Sequence, residues 1–220
     1  MLMPALDGIE LIYADDALLV LDKPAGLLSV PGRGPDKQDC LSARVQRHFA
    51  DALIVHRLDM ATSGLLLMAR GAALQRSLSI AFARREVHKR YVAVVDGHVT
   101  PAAQGWGEID QPILLDWPRR PLHIIDPSGK PSLTRWRVLT HGHDAASRPQ
   151  TWLELEPVTG RSHQLRVHLQ ALGHAIVGDA LYASPEVQAR SERLLLHASA
   201  VTLQHPLTNQ TLQLSSPPPF

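Results

Sequence analysis

Three side chains capable of acid-base or charge chemistry lie within four positions of one short segment. Residues 55–64 read VHRLDMATSG, which places His56, Arg57 and Asp59 between two apolar runs. A carboxylate on a loop that leaves buried strands is a candidate for chemistry. An ion pair with Arg57 or an Asx turn explains the same aspartate equally well. The position of Asp59 alone therefore does not make it a catalyst.

The sequence lacks the motifs of several common chemistries. It contains no G-x-G-x-x-G, G-x-x-x-x-G-K-[ST], H-E-x-x-H or G-x-S-x-G segment. Its histidines are poorly placed for a metal: His141 and His143 lie in a polar loop, and a helix would turn His163 and His168 to different faces. Ser63 lacks the context of a nucleophile and is interpreted as a turn residue. We expect no metal site and no serine nucleophile.

The composition is that of an ordinary globular protein of one domain or two closely packed lobes. The chain has 220 residues, 45% of them hydrophobic and 20% charged, with a net charge of +1. A net charge this small is not typical of a protein that binds polyanions through its overall charge. The single cysteine, Cys40, excludes an internal disulfide framework. Neither a signal peptide nor an apolar run of about 20 residues occurs, which predicts a cytoplasmic protein that does not bind membranes.

Positive charge is nevertheless clustered locally. The clusters are Arg84, Arg85, Lys89 and Arg90 in one short stretch, the adjacent pair Arg119 and Arg120, and the pair Arg161 and Arg166. Such runs are often solvated surface faces. If they bind a nucleic acid, the contact must be focused on a short part of it.

Hydrophobic periodicity predicts the elements that position these residues. Residues 9–26 read as a hairpin around Asp15-Asp16, and 39–49 as a short helix with Asp39 as its N-cap. Helices are also predicted over 72–84 and 162–172, the second ending at Gly173. Strands are predicted at RYVAVVDGHV, SLTRWRVL and TWLELEPV, short extended pieces within 101–130, and a second hairpin in the tail. Strands and helices alternate irregularly, which favours an α+β fold with a mainly antiparallel sheet.

Several segments together resemble the RluA-type pseudouridine synthases, enzymes that isomerise uridine in RNA. Residues 56–64, HRLDMATSG, are similar to the H-R-L-D-x-x-T-S-G signature of that family. Similar segments follow in the family's order: Lys23-Pro24-Ala25-Gly26, Lys89-Arg90-Tyr91, TGRSHQLRVH (159–168), Gly178-Asp179 and Leu195-Leu196-His197-Ala198. LLSVPGR, DWPRRP (116–121) and GKP are closest to the member after which the family is named. Ser162 stands where threonine is common, and the loop 141–150 has no clear counterpart.

The resemblance implies the pseudouridine synthase fold with a central catalytic cleft, and a role for each matched residue. Asp59 is the implied catalytic carboxylate; attack at C1′, addition at C6 and removal of the 2′-proton all stay open. It must enter the reaction ionised, and Arg161 is the implied cation beside it. Tyr91 is implied to pack on the target base and to assist proton removal from C5. No cofactor is implied.

The resemblance also assigns residues to the RNA. Arg57 is implied to fill the space that the flipped base leaves, with His56 and Leu196 grouped around the pocket. The residues expected to contact the RNA backbone are Arg84, Arg85, Lys89, Arg90 and Arg166, with His88, Arg119 and Arg120 as weaker candidates. The implied substrates are uridines in a loop of large-subunit (23S-type) rRNA, in a tRNA anticodon stem-loop, or in both.

The expected protein is a monomer with no obligatory protein partner. A single catalytic domain is expected to span residues 1–220, without the S4-like module that precedes this domain in several relatives, because the first strand begins near Ile9. Two alternatives stay open: an inactive RNA-binding protein of this fold, and an N-glycosidase-type hydrolase that would use Asp59 at C1′.

Overall fold

The computed structural model describes residues 6–220, and they pack as two compact units. Unit 1 runs up to Lys89 and includes His197–Pro219, whereas unit 2 comprises Arg90–Leu196 and Phe220. Among the residues 6–220, no helix combines the length and the apolar composition needed to cross a membrane.

The helices and strands follow one another irregularly along the chain. In chain order they are β1 (Glu10–Ala14), β2 (Leu18–Lys23), α1 (Leu41–Gln46), β3 (Ala52–Ile54), β4 (Ser63–Arg70), α2 (Ala72–Ala83), β5 (His88–Asp96), β6 (Gly107–Asp110), β7 (Ile113–Leu115), β8 (His123–Ile125), β9 (Leu133–His143), β10 (Pro149–Pro157), α3 (Gln164–Ala171), α4 (Pro185–Gln188), β11 (Leu196–Gln204) and β12 (Thr211–Ser215).

Strand β4 is central in unit 1. It pairs antiparallel with β2 along one edge, while its other edge meets β11 at Ser63 and Gly64 and β3 at its far end. The β1–β2 and β11–β12 hairpins flank it, as predicted from the sequence. The β4–β11 pairing is parallel, whereas the other strand pairings within the unit are antiparallel.

The apolar core of unit 1 explains the patterns in its sequence. Strands β2 and β4 are buried on both faces, which accounts for their continuous runs of leucine and valine. Helix α2 packs on this core through Leu74, Leu78 and Phe82, the predicted i, i+4, i+8 face. This helix is confirmed to within one residue of the predicted bounds.

Unit 2 is also built from antiparallel strands, in the order β5-β10-β9-β6. The short extended pieces expected within 101–130 are β6 and the separate β7–β8 hairpin. Helix α3 packs against that hairpin through Val167, which belongs to one apolar cluster with Ile113 and Tyr182; Ile125 packs against this cluster. The architecture of both units is α+β with mainly antiparallel strands, as the sequence predicts.

Four local predictions are wrong. His141 and His143 lie at the end of strand β9 and not in a loop. Helix α1 is shorter than expected, and its N-cap is Cys40, whose Sγ accepts from the amide of Ala43; Asp39 instead binds Arg44. Ser63 is no turn residue, because it begins β4 and is buried. Helix α3 begins at Gln164, two residues later than expected, because His163 before it adopts a left-handed conformation with φ 55°.

Candidate active site

The segment 55–62, which connects β3 to β4, carries Asp59 and is fixed to unit 1 on both sides of that residue. On the N-terminal side, the hydroxyl of Ser29 donates to the carbonyl of Leu58 at 2.7 Å and accepts from the amide of Leu58 at 3.1 Å. Ser29 and Leu58 are both buried. The backbone next to Asp59 is therefore held by a buried side chain that lies 29 residues away.

Lys23 fixes the segment on the C-terminal side of Asp59. Its side chain is fully buried, and Nζ donates to the carbonyls of Leu27 at 2.7 Å, Pro24 at 2.8 Å and Met60 at 3.1 Å. The carbonyl of Met60 also accepts from the amide of Gly26 at 2.8 Å, in a turn where Gly26 has φ +84°. The Lys23-Pro24-Ala25-Gly26 segment thus supports the Asp59 loop through these hydrogen bonds.

His56 faces the protein rather than open solvent. Its Nε2 accepts from the amide of Leu67 at 3.0 Å, and its ring stacks on Phe82 at 4.5 Å. Burial, and to a smaller extent the charge of Lys89, lowers the pKa of His56 to about 3. A neutral imidazole bound to β4 in this way anchors the start of the loop, so direct RNA contact by His56 stays a prediction without structural support.

The end of the loop is tied to β11 by a chain of buried polar groups. Ser63 Oγ lies 2.9 Å from His197 Nδ1, and His197 Nε2 lies 3.2 Å from both the carbonyl and the hydroxyl of Ser216. The Ser216 hydroxyl donates to Asp22 on β2. These four side chains connect β2, β4, β11 and the tail, which fixes the point where the Asp59 loop enters the sheet.

Gly64 allows β4 and β11 to approach closely. It has φ +108°, and a Cβ at this position would lie 2.4 Å from the carbonyl oxygen of Ala198. No side chain fits there without displacing backbone. The T-S-G and L-L-H-A motifs are therefore two halves of one structural contact.

The loop itself leaves Arg57 exposed and Asp59 partly buried. The amide of Thr62 donates to the carbonyl of Asp59 at 3.1 Å, which closes the loop as a turn. Leu58 between them points into the core at 5% exposure. The alternation places the arginine outward and the carboxylate at the boundary between core and solvent, a position from which a carboxylate can meet a substrate and still be shielded from bulk water.

In unit 2, Tyr91 lies on β5 opposite Leu155 of β10 and is only 9% exposed. Arg90 beside it is partly buried: its guanidinium lies 2.8 Å from a carboxylate oxygen of Glu156 and 4.7 Å over the ring of Trp106. Leu196, at the start of β11, is buried at 3% exposure. The packing of Tyr91 fixes its ring, and its contact with a target base stays a prediction.

The loop that carries Arg161 is organised by the buried amide of Gln164. Its Oε1 accepts from Thr159 Oγ1 at 2.7 Å and from the backbone amide of Arg161 at 3.0 Å, while its Nε2 donates to Leu133 O and Thr134 Oγ1 at 3.0 Å each. Arg161 is exposed, and its Nε and Nη2 both lie 3.3 Å from the carbonyl of Pro131. The backbone of Arg161 is fixed, whereas its pairing with Asp59 stays a prediction.

Arg166 is not placed to contact RNA, which corrects the sequence prediction. It is 5% exposed, and its Nε and Nη2 donate to Asp179 at 2.8 Å and 2.6 Å. Asp179 is fully buried and also accepts from the amides of Leu181 and Tyr182. A buried, bidentate pair leaves the guanidinium no path to a phosphate, so Arg166 fixes α3 to the segment after it.

The remaining basic residues expected to contact RNA divide by exposure. Arg84 and Arg85 follow the end of α2 and are exposed, whereas Lys89 and Arg90 are partly buried. Burial lowers the pKa of Lys89, and Arg90 is paired with Glu156. Arg84 and Arg85 are therefore the best placed of the four to bind a phosphate.

Sequence reasoning assigned no role to the residues that fix these loops. Lys23, Gln164 and His197 lie in motifs that the sequence displays, but their partners lie up to 134 residues away along the chain. The one signal available was chemical: a lysine, a glutamine and a histidine inside apolar or turn-forming segments need hydrogen-bond partners if they are buried.

Comparison with known proteins gives consistent matches along the chain. A family model described as RNA pseudouridylate synthase matches residues 17–171. The dual-specificity RNA pseudouridine synthase RluA of Escherichia coli K12 is 46% identical over 211 residues, which cover 96% of this chain and 93% of that protein. The protein of the same name from Vibrio parahaemolyticus is 46% identical over 198 residues, with 90% and 78% covered.

Solved structures match the fold over the whole length of the chain. Human RNA pseudouridylate synthase domain containing 1 is 31% identical with a TM-score of 0.80, covering 100% of this chain and 87% of that one. Human RNA pseudouridylate synthase domain containing 4 is 24% identical with a TM-score of 0.73 over 95% and 88% of the two chains, a likeness of fold.

Proposed function

Because the chain belongs to the RluA family of RNA pseudouridine synthases, we propose that it isomerises uridines in two kinds of RNA loop: a tRNA anticodon stem-loop and a loop of large-subunit rRNA. It is an isomerase that converts uridine in RNA to pseudouridine. The relatives that are 46% identical are named for dual specificity, which supports both RNA classes as substrates.

The reaction itself defines what the site must do. The N1–C1′ bond of the uridine breaks, the base turns, and a C5–C1′ bond forms while C5 loses a proton and N1 gains one. Atoms and electrons balance within the substrate, so the residues have only to form a transient adduct or move protons. Asp59 is the carboxylate proposed for this step, by attack at C1′, addition at C6 or removal of the 2′-proton.

One observation carries this assignment to Asp59. The backbone is fixed immediately before and after this residue, by Ser29 at Leu58 and by Lys23 at Met60. A reactive group must be held within a fraction of an ångström of its target, and supports of this kind provide such precision. A carboxylate that served only as a surface ion-pair partner would not require a fully buried lysine beneath its loop.

The other matched residues have proposed roles that variants can separate. We expect Arg161→Ala to lower kcat more than RNA affinity, because its proposed role is to keep the Asp59 carboxylate ionised. Arg57→Ala should impair extrusion of the base, which is a binding and positioning step. Tyr91→Phe should keep the packing on the base and test the hydroxyl in proton removal from C5.

Binding of the RNA backbone is proposed to depend on focused charge rather than on net charge. Arg84 and Arg85 are exposed at the end of α2, and the protein as a whole carries only +1. Each phosphate contact contributes about 0.7 to the slope of log K against log salt for single-stranded RNA. Loss of RNA binding at about 0.5 M salt would support a largely electrostatic contact.

The test is incubation of the purified protein with unmodified tRNA and rRNA transcripts, followed by mapping of pseudouridine by carbodiimide-adduct primer extension. We expect a discrete stop in each RNA. Release of free uracil would indicate an N-glycosidase, and RNA binding without any product would indicate an inactive RNA-binding protein. A stop in only one transcript would restrict the proposed specificity to that RNA class.

We also propose that the protein acts in the cytoplasm as a monomer, without a protein partner. Light scattering of the active fraction tests the oligomeric state.

A further inference from the structure

The β7–β8 hairpin of unit 2 exposes a tryptophan on its connecting turn. Trp117 is 65% exposed, and it is the only aromatic residue among the large hydrophobic residues that the structure leaves exposed within 6–220. Tryptophan is enriched at interfaces because its indole combines a large apolar surface with a polar N–H, so an exposed indole on an ordered turn is a candidate binding surface.

Backbone and side-chain hydrogen bonds close the turn that carries Trp117. The amide of Asp116 donates to the carbonyl of Leu122 at 2.9 Å, and the amide of Leu122 donates to the carbonyl of Arg119 at 3.0 Å. The buried carboxylate of Asp116 also accepts from Arg119 Nε at 2.6 Å. A ring presented by such a turn loses little conformational freedom when a ligand binds.

The chemistry around the ring favours a nucleic-acid base as its ligand. The guanidinium of Arg120 lies 4.2 Å over the indole, and Pro118, Arg119 and Pro121 beside it are exposed. With two arginines and one aspartate, residues 116–121 carry a net charge of +1. Unpaired bases of RNA stack on aromatic rings and on arginine guanidinium planes, and the positive charge of this turn suits a ligand that carries phosphates.

The hairpin is also coupled to the Arg161 loop within unit 2. Tyr182 Oη accepts from the amide of His123 on β8 at 3.0 Å and lies 2.6 Å from Nδ1 of His163, two residues after Arg161. Leu122 and Ile125 of the hairpin pack against the apolar cluster that contains Tyr182. The Trp117 hairpin and the Arg161 loop are therefore connected through Tyr182, so an RNA could contact both.

We propose that Trp117, with Arg120 against it, is a stacking platform for an unpaired base of the substrate RNA outside the target uridine. This inference rests on the proposed function, because it names a contact for the same RNA. Stacking on a π face accepts any base, so the platform would contribute affinity to both RNA classes without reading sequence.

The test compares Trp117→Ala, Trp117→Phe and Leu207→Ala, a matched control whose side chain is 63% exposed on the β11–β12 turn of unit 1. Binding of an unmodified anticodon stem-loop transcript is measured against salt concentration. We expect Trp117→Ala to weaken binding about 5- to 150-fold with an unchanged salt slope, since stacking releases no counterions. Trp117→Phe should retain most of the affinity, and Leu207→Ala all of it.

Intrinsic fluorescence provides a second readout that does not depend on the folding of an alanine variant. A base stacked on the indole should change the emission of the wild type on RNA addition, and this change should be absent from Trp117→Phe. Two results together would contradict the proposal: wild-type RNA affinity in Trp117→Ala, and equal emission changes in the wild type and Trp117→Phe. Trp117 would then be a candidate contact for a protein partner. If the wild type makes pseudouridine in that case, the proposed function stands without the platform. If the wild type makes none, the proposed function fails, whatever the platform does.

Discussion

Replacing Arg166 with methionine removes the cation from a buried ion pair in unit 2. Asp179 is fully buried and accepts two hydrogen bonds from this guanidinium, at 2.8 Å and 2.6 Å. Methionine fills a similar volume and donates nothing, so the carboxylate keeps only the amides of Leu181 and Tyr182 as donors. The substitution therefore leaves a buried charge without its counterion.

The expected cost follows from that geometry. Removal of one partner from a buried pair destabilises a protein by about 3–5 kcal/mol. The two amide donors that remain favour the lower part of this range. For a chain of this size, each kcal/mol shifts the unfolding temperature by about 2–4 °C, so the full range corresponds to a decrease of about 6–20 °C, and we expect the lower part of it.

The assay is thermal unfolding followed by circular dichroism, with RNA binding measured against salt at a temperature where the variant is folded. Arg47→Met is the matched control, because Arg47 is 62% exposed in an exposed pair with Asp7, and we expect little change in its unfolding temperature. Arg166→Met should keep the wild-type salt slope. Wild-type stability together with a slope reduced by about 0.7 would refute the reasoning and make Arg166 a phosphate contact.

Three further predictions concern the supports of the Asp59 loop. Gly64→Ala should prevent stable folding, because its Cβ would lie 2.4 Å from a backbone oxygen, whereas Gly173→Ala, with no neighbour within 4 Å, should cost far less; urea unfolding compares them. The free energy of unfolding should fall as the pH decreases from 6.5 towards 3. In this range His56 binds a proton in the unfolded chain but not in the folded protein, where its pKa is lowered to about 3. His56→Gln should flatten this pH dependence. His197→Ala should lower kcat with little change in KM, because His197 positions Ser63 at the end of the loop. Steady-state kinetics that show a raised KM with an unchanged kcat would instead make His197 an RNA-binding residue.

The elements with clear periodicity were predictable from the sequence. The run of leucines in β2, the β11–β12 hairpin and the spacing of Leu74, Leu78 and Phe82 in α2 each reflect burial of one continuous segment, and the structure confirms them. Element ends were less predictable. Asp39 and Cys40 are adjacent, and only the extended backbone of Cys40 decides which of them caps α1.

The candidate site was predictable as a set of motifs but not as a set of contacts. The sequence identifies the segments of Asp59 and Arg161, yet a pattern within one segment carries no information about partners far along the chain. Ser63 and His197, for example, are 134 residues apart. Arg166 shows the same limit: its position beside a polar segment suggested an RNA contact, whereas its partner, Asp179, lies in a different motif.

The central claim is that the carboxylate of Asp59, held by Ser29 and Lys23, performs the chemistry. Its most direct test is single-turnover pseudouridine formation by Asp59→Asn, which keeps the shape of the side chain and removes its charge. Asp51→Asn is the matched control, since Asp51 precedes β3 and the same loop, is exposed, and pairs with Arg70 Nε at 2.9 Å. The account predicts no product from Asp59→Asn with RNA affinity within about tenfold of the wild type, and a wild-type rate from Asp51→Asn. Pseudouridine formed by Asp59→Asn at a rate near that of the wild type would contradict it.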